Sequence, residues 1–268
     1  MRESVAVKVR QGSGGYKVDL LHLVLTFASL QWNNNQIGWH ESDVHHSLSK
    51  HGDTIIPNFS VKEDETCSEQ VRVFVPLCGK TVDLAFLARH PSVSDVVGVD
   101  GIQQALLEFA KEQPDLRITK QTGGSDAYGR FTGKGLTLLK GDFFDLQQGD
   151  TGGRFDAVWD RASFIAINPS LREEYVKVMG RLIKPGGVLL VSTIEYTGTE
   201  EAMQMGPPFS VPETEVRKWY ENEAWVESVE LVEKLDEFQR APETKELWEA
   251  AGVTSVFELV LVIKAKAA

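Results

Sequence analysis

Residues 71–101 read VRVFVPLCGKTVDLAFLARHPSVSDVVGVDG, and this stretch decides the fold. A buried parallel strand is a short apolar run, and residues 71–75 (VRVFV) fit that pattern, with Arg72 at the edge of the strand. Pro76 closes the run, because proline has no N–H to give a central ladder. Gly79 lets the backbone turn tightly into a helix whose unpaired N–H groups face the loop. Residues 96–99 form a second strand, and Asp100 follows at its end. It lies about twenty residues past the glycine, the spacing at which an acidic side chain accepts hydrogen bonds from a ribose. The unit therefore points to a nucleoside cofactor. Its loop, PLCGKTVD, has one glycine where a dinucleotide loop has three. A pyrophosphate needs close backbone approach at several points, so this loop suits a phosphate-free cofactor better. The competing reading is an ordinary βαβ unit with a chance acidic residue.

Composition narrows the class. A chain of 268 residues has room for one large α/β domain with a substantial core. A net charge of −11 argues against broad nucleic-acid binding, which calls for a basic footprint. Cys67 and Cys78 are the only cysteines, too few for a disulfide framework or a structural zinc site. The usage suits a reducing compartment, and a cytoplasmic monomer is the expectation. No apolar stretch reaches the length of a membrane span. The most apolar early stretch, residues 20–30, is broken by His22, Thr26 and Ser29 and lacks the basic start of a secretory signal.

Outward from the opening unit, three further strands are expected. Residues 136–140 precede GDFFDL, residues 155–159 precede DRASFIAINP, and residues 188–194 follow the turn Lys184-Pro185-Gly186-Gly187. Helical spacing separates them at residues 102–111, 171–182 and 213–222. Alternating strands and helices predict a doubly wound parallel sheet with helices on both faces. The chain closes with two strands, residues 226–234 and 256–264, suited to antiparallel pairing at one edge. Residues 119–135, rich in glycine and polar groups, read as a surface loop, and residues 62–70 as a charged linker. At the N-terminus, residues 1–16 read as loosely ordered or a short edge element, and residues 19–32 as a helix. A second helix is expected over 42–51. The domain reading is an N-terminal extension over 1–30 and a single domain over 31–268, with 31–61 capping the site.

A doubly wound sheet binds its ligand at the carboxyl ends of its strands. The candidates there are Leu77 and Gly79, Asp100, Asp142 with Phe143, and Asp160 with Arg161. S-adenosylmethionine, with a ribose and an adenine but no phosphate, meets their description. Asp100 takes the ribose, Asp142 accepts from the adenine amino group, and Phe143 covers the ring face. A turn-capping role for Asp142 is the alternative. Arg161 cannot be neutralised, so it should face an anion: the cofactor's carboxylate, an anionic substrate, or Asp160 in a structural ion pair. Trp32 and Trp39 flank WNNNQIGWH and are read as pocket walls or as core. His40, His45, His46 and His51 match no metal-ligand spacing and are read as helix-surface histidines, so no metal is expected. Cys78 is read as a packing residue. The kink Gly206-Pro207-Pro208-Phe209 is read as an acceptor-pocket wall or a stiffened loop.

Taken together, WNNNQIGWH, RVFVPLCGKTVDLAFLA, VVGVD, FDAVWDRASFIAINPSLREEY and GPPFSVP resemble the thiopurine S-methyltransferase family, with FELVLVIK a less specific match. The resemblance covers roughly residues 32–264. It implies a Rossmann-like class I methyltransferase fold, a seven-stranded, mostly parallel sheet with an antiparallel last strand. It implies S-adenosyl-L-methionine as methyl donor, S-adenosyl-L-homocysteine as product, and a small thiol, often aromatic or heterocyclic, as acceptor. Position by position it places Trp32, Leu77, Gly79, Asp100, Asp142, Phe143 and Arg161 at the cofactor. It makes Arg161 the active-site arginine and Arg240, in DEFQR, a second substrate-side arginine. Trp39 takes the position of a substrate-side phenylalanine, beside the wall of Pro207 and Phe209. Enzymes related to the family methylate other sulfur, selenium or halide nucleophiles, and a non-catalytic binding protein is a third reading. The N-terminal thirty residues have no clear counterpart in the family.

Overall fold

The computed structural model of the chain describes residues 10–12, 15–17, 40–61, 67–122 and 128–268, with backbone alone for the first two segments. Eleven strands are described: β1 (Arg10–Gly12), β2 (Gly15–Lys17), β3 (Val71–Val75), β4 (Val93–Asp100), β5 (Thr119–Lys120), β6 (Gly129–Gly133), β7 (Leu136–Lys140), β8 (Phe155–Arg161), β9 (Ile183–Gly198), β10 (Val226–Asp236) and β11 (Val253–Ala265). The helices are α1 (His46–His51), α2 (Asp83–Arg89), α3 (Gln103–Glu112), α4 (Gln148–Thr151), α5 (Arg172–Leu182), α6 (Glu200–Gln204), α7 (Glu213–Tyr220), α8 (Glu237–Arg240) and α9 (Lys245–Ala250). Strands β3 to β11 form one sheet in the order β10-β11-β9-β8-β3-β4-β7-β6-β5, and β1 and β2 form a separate antiparallel pair.

The expected doubly wound core is present. Strands β7, β4, β3, β8 and β9 run parallel, and β11 lies antiparallel between β9 and β10. Strand periodicity sends alternate side chains to opposite faces. On β3, β8 and β9, Phe74, Phe155, Val158, Leu189 and Val191 join one cluster, which α5 and α7 cover with Tyr175, Met179, Val216 and Tyr220. Val73, Val75, Trp159 and Leu190 join the other, covered by Leu48 of α1, Leu84 and Leu87 of α2, and Leu106 and Phe109 of α3. A strand buried on both faces reads as a continuous apolar run, which is why residues 71–75 and 96–99 were legible without alternation.

Two expectations need correction. Residues 119–135 do not form a plain surface loop: β5 and β6 lie within them and extend the sheet antiparallel beyond β7, giving nine strands rather than seven. Only Phe131 of these two strands is buried, so the apolar signal was too thin to read. The turn at Lys184 to Gly187 does not precede its strand but lies within β9. There Ile183 pairs with Phe155 and Val188 with Ala157, so the turn is accommodated as a bulge. The helix expected over 19–32 lies outside the described residues.

Asp160 shows how the core supports the strand ends. Fully buried, it accepts from the Tyr175 hydroxyl at 2.7 Å and from the Phe164 N–H at 3.3 Å. Burial pushes its carboxyl up to about 6, although these bonds oppose the rise. Tyr175→Phe strips a buried acceptor of its donor. We expect a loss of about 1–3 kcal/mol, read in urea as a lower midpoint with an unchanged slope.

Candidate active site

The carboxyl ends of β3, β4 and β8 meet at one cleft. Its lining includes His40, Leu77, Gly79, Lys80, Arg161 and Ala162. Leu77 (φ 40°) and Ala162 (φ 63°) hold left-handed backbone, which is uncommon for residues with a side chain. Such conformations cost on the order of 1–3 kcal/mol each and gather where a site must be shaped. Gly79 also has positive φ, 50°, and here the missing side chain removes the strain. Cys78 turns the other way. It is buried, its thiol is pushed up by burial and by Asp100, and its sulfur lies 2.7 Å from where a Cβ on Gly98 would sit. It is the small packing residue the sequence suggested, and Gly98 is needed to admit it.

Asp100 ends β4 and ties the cleft together. Its Oδ2 accepts from the Gly79 N–H at 2.8 Å and its Oδ1 from the Ile102 N–H at 2.7 Å. Burial nevertheless pushes its carboxyl up to about 6, the two backbone bonds pulling the other way. A carboxylate oxygen has two lone-pair sites, so each retains capacity for a ligand hydroxyl. Lys80 has its charge matched by Glu112 at 2.8 Å and Glu108 at 3.2 Å on α3. A lysine matched in this way does not make the loop a phosphate cradle, and the residues present fit a ribose-bearing, phosphate-free donor.

The other predicted residues divide. Asp142 accepts the Phe144 N–H at 2.8 Å, which is the turn-capping geometry, and its carbonyl accepts from the Tyr128 hydroxyl at 2.6 Å. The role given to the Phe143 ring is corrected. It is 2% exposed and stacked on Tyr175 at 4.7 Å, so it packs in the core rather than covering a ligand. Phe143 lies in the turn that follows β7, and that turn sends its ring into the core while Phe144 stays half-buried. Trp32 and Trp39 lie outside the described residues.

Arg161, at the end of β8, donates to Glu41 Oε1 at 2.9 Å and is 16% exposed. Glu41, from the segment expected to cap the site, is thus an anion that faces it, while Asp160 turns to Tyr175. Arg240 sits on α8 with Glu237 as a bidentate partner, at 2.8 and 2.7 Å. It joins the same electrostatic neighbourhood: Glu41 and Glu258 act on Arg240, and both arginines act on His45. Phe209 donates its N–H to the Ile165 carbonyl at 2.8 Å, and its ring lies 5.8 Å from the Arg172 guanidinium. This docks the kink on the connection that follows Arg161. Pro207 is exposed at the kink's outer side.

The histidines are not a surface set, and this too is a correction. His45, 4% exposed, caps α1 by accepting the Ser47 N–H at its Nδ1, and its own N–H donates to Asp83 Oδ1 at 2.9 Å. Asp83 also accepts from Trp159 Nε1 at 2.8 Å. Buried Glu258, on β11, accepts from Ser47 Oγ at 2.6 Å and Ser192 Oγ at 2.7 Å and faces His46 Nε2 at 2.6 Å. Burial drives His45 neutral, to about 3. Burial would also raise Glu258, but its bonds from His46 and Ser47 outweigh that and hold it near 2. Among the described residues, His45, His46 and Glu258 bring metal-ligand atom types within 4.8 Å of one another. Spacing could not reveal this, because Glu258 joins from the far end of the chain. The hydroxyl and amide donors at the cluster account for its shape as a clamp that fastens the first turn of α1 to the sheet.

A family model described as thiopurine S-methyltransferase matches residues 27–266. The chain belongs to that family. Among its relatives, the thiopurine S-methyltransferase of Pseudomonas paraeruginosa (strain DSM 24068 / PA7) is 37% identical over 194 residues, 72% of this chain and 80% of that one. The Oryctolagus cuniculus thiopurine S-methyltransferase is 30% identical over 257 residues, 91% of each. The protein is therefore an S-adenosylmethionine-dependent methyltransferase acting on a small molecule. Among solved structures, Burkholderia thailandensis 1,6-didemethyltoxoflavin-N1-methyltransferase, with S-adenosylhomocysteine bound, superposes with a TM-score of 0.56 at 12% identity and 98% coverage of each chain. The cyclase SpnF superposes at 0.51 with 12% identity, covering 83% of this chain and 93% of that one. These two likenesses concern the class I fold alone, which hosts a cyclase as well as a methyltransferase. Among the described residues no helix is long and apolar enough to cross a membrane.

Proposed function

We propose that the protein methylates the sulfur of a small aromatic or heterocyclic thiol by in-line displacement. The observation that carries this is the placement of Arg161 at the end of β8, in the cleft formed by the Leu77–Gly79 loop and anchored by Asp100. S-adenosyl-L-methionine, when bound, supplies an electrophilic methyl group on a sulfonium. Asp100 would hold its ribose, and the backbone of the Leu77–Gly79 turn would approach it closely. Asp142 stands at the neighbouring strand end, on the adenine side. Arg161 would stabilise the acceptor's developing thiolate, and Arg240 would orient the acceptor from α8. A thiolate is far more nucleophilic than a thiol, so positive charge at the acceptor sulfur raises the reactive fraction. The protein's remaining task is to hold that sulfur in line, and no covalent enzyme intermediate or metal is called for. The kink at Phe209, docked through Ile165 on the connection that follows Arg161, would wall an aromatic slot, as would Trp39.

A methyltransferase for hydrosulfide, halide or selenium nucleophiles is the second reading, and Phe209 disfavours it because a bare ion needs no ring-sized wall. The two separate in an acceptor competition followed by mass spectrometry. An aromatic thiol is expected to outcompete hydrosulfide and iodide by at least about tenfold in kcat/KM, the low end of what a pocket contact of 1–3 kcal/mol supplies. Equal or reversed preference rejects the aromatic slot.

A further inference from the structure

We infer that Glu41 is the general base that takes the proton from the acceptor thiol, an inference that rests on the proposed S-methylation. Among the described residues, Glu41 Oε1 meets Arg161 at 2.9 Å, and Oε2 makes no hydrogen bond. The carboxylate is 37% exposed, so a ligand that reaches Arg161 also reaches Glu41. The chain that follows it is fastened to the core. His45, four residues on, is fixed through its N–H to Asp83, and Ser47 is fixed to Glu258. A base must be open to its proton's donor and positioned by its surroundings, and the exposure of the carboxylate and its ion pair with Arg161 supply these here.

The proton balance is complete. The acceptor S–H proton passes to a Glu41 carboxylate oxygen. The freed electron pair on sulfur forms the S–CH3 bond, and the donor's methyl–sulfur bond breaks with its pair remaining on the donor sulfur. The proton then leaves Glu41 for solvent, to which the side chain is open. Arg161 compensates the charge throughout: it faces the carboxylate before transfer and the thiolate as the proton departs. The other charged or titratable groups around Glu41 are Arg240 on α8, His45 at 3.8 Å, Glu258 behind His45, and His40 with Lys80 in the cleft. His40 is the competing base. Burial and then Lys80 lower its pKa, which keeps it neutral, whereas Glu41 carries a carboxylate paired with Arg161.

The test uses two aromatic thiols, one ionised well below the assay pH and one ionised above it. Glu41→Gln is expected to lower kcat/KM for the more basic thiol by about tenfold or more and to spare the acidic thiol, which arrives as thiolate. Calorimetric affinity for S-adenosylmethionine should be unchanged. With S-adenosylhomocysteine bound, thiolate absorbance should show the basic thiol ionising at lower pH in Glu41→Gln than in the unaltered protein, because an opposing carboxylate has gone. Equal loss for both thiols, no loss for either, or no shift in the bound thiol's ionisation overturns the inference. So does a thiol-dependent loss in His40→Gln that is absent in Glu41→Gln. If the unaltered protein methylates neither thiol, the proposed S-methylation fails instead, and the two failures are distinct.

Discussion

Arg161→Ala is expected to lower turnover of an aromatic thiol by about 100- to 1000-fold, the usual consequence of removing one preorganised electrostatic stabiliser. The side chain is 16% exposed and set at the end of a buried strand, so its charge acts in a partly desolvated cleft, where it is worth more than in water. Folding should survive, because the guanidinium lies outside the two apolar clusters. Arg161→Lys should restore only part of the loss. A lysine supplies the charge but not the planar fork that allows one group to serve Glu41 and the acceptor together. Steady-state kinetics with each variant, beside calorimetry of the donor, give the reading. A variant with normal turnover of every thiol removes Arg161 from the chemistry.

Asp100→Ala should weaken S-adenosylmethionine binding by about 1–3 kcal/mol, roughly ten- to a hundredfold in Kd. Two effects combine. The ribose loses its acceptor, and the Gly79 and Ile102 N–H groups, now bonded at 2.8 and 2.7 Å, lose theirs. The pH dependence isolates the first effect. Burial raises the Asp100 carboxyl to about 6, so above that value it is ionised and accepts fully. Below it the group protonates, acceptor capacity falls, and donor affinity should weaken as pH drops through about 6. In Asp100→Asn that limb should disappear, leaving a flat and weaker profile. Unchanged affinity in Asp100→Ala would remove the ribose assignment.

The parts of this architecture that the sequence revealed are those in which one local rule dominates. The apolar runs at residues 71–75 and 96–99, the proline stop and the positive-φ glycine each follow from backbone chemistry alone, and each holds in the structure. Residues 129–133 hid because an edge strand with a single buried side chain, Phe131, has no pattern to show. Phe143 misled for a related reason. It lies beyond the end of β7 in a turn, where no periodicity decides between cleft and core, and the ring went to Tyr175. Glu258 was out of reach of sequence reasoning. It sits in FELVLVIK as the one acidic residue of an apolar strand, and its partners Ser47 and Ser192 come from two distant elements. A buried carboxylate needs partners, so that acidic residue within the apolar run was the available signal. Glu41, beside a quoted motif, gained meaning only when Arg161 was seen to face it.

Transfer of a methyl group to sulfur in the cleft of Asp100 and Arg161 can be followed atom by atom. The most direct measurement is a single turnover with donor labelled by carbon-13 at the methyl group and an aromatic thiol carrying a ring amine and a hydroxyl as rival acceptors, followed by NMR of the product. One label per enzyme is expected, all of it as S–CH3, with an equal amount of S-adenosylhomocysteine, and a rate lowered by both Arg161→Ala and Asp100→Ala. Label on nitrogen or oxygen, or bound donor with no transfer to sulfur, would contradict it.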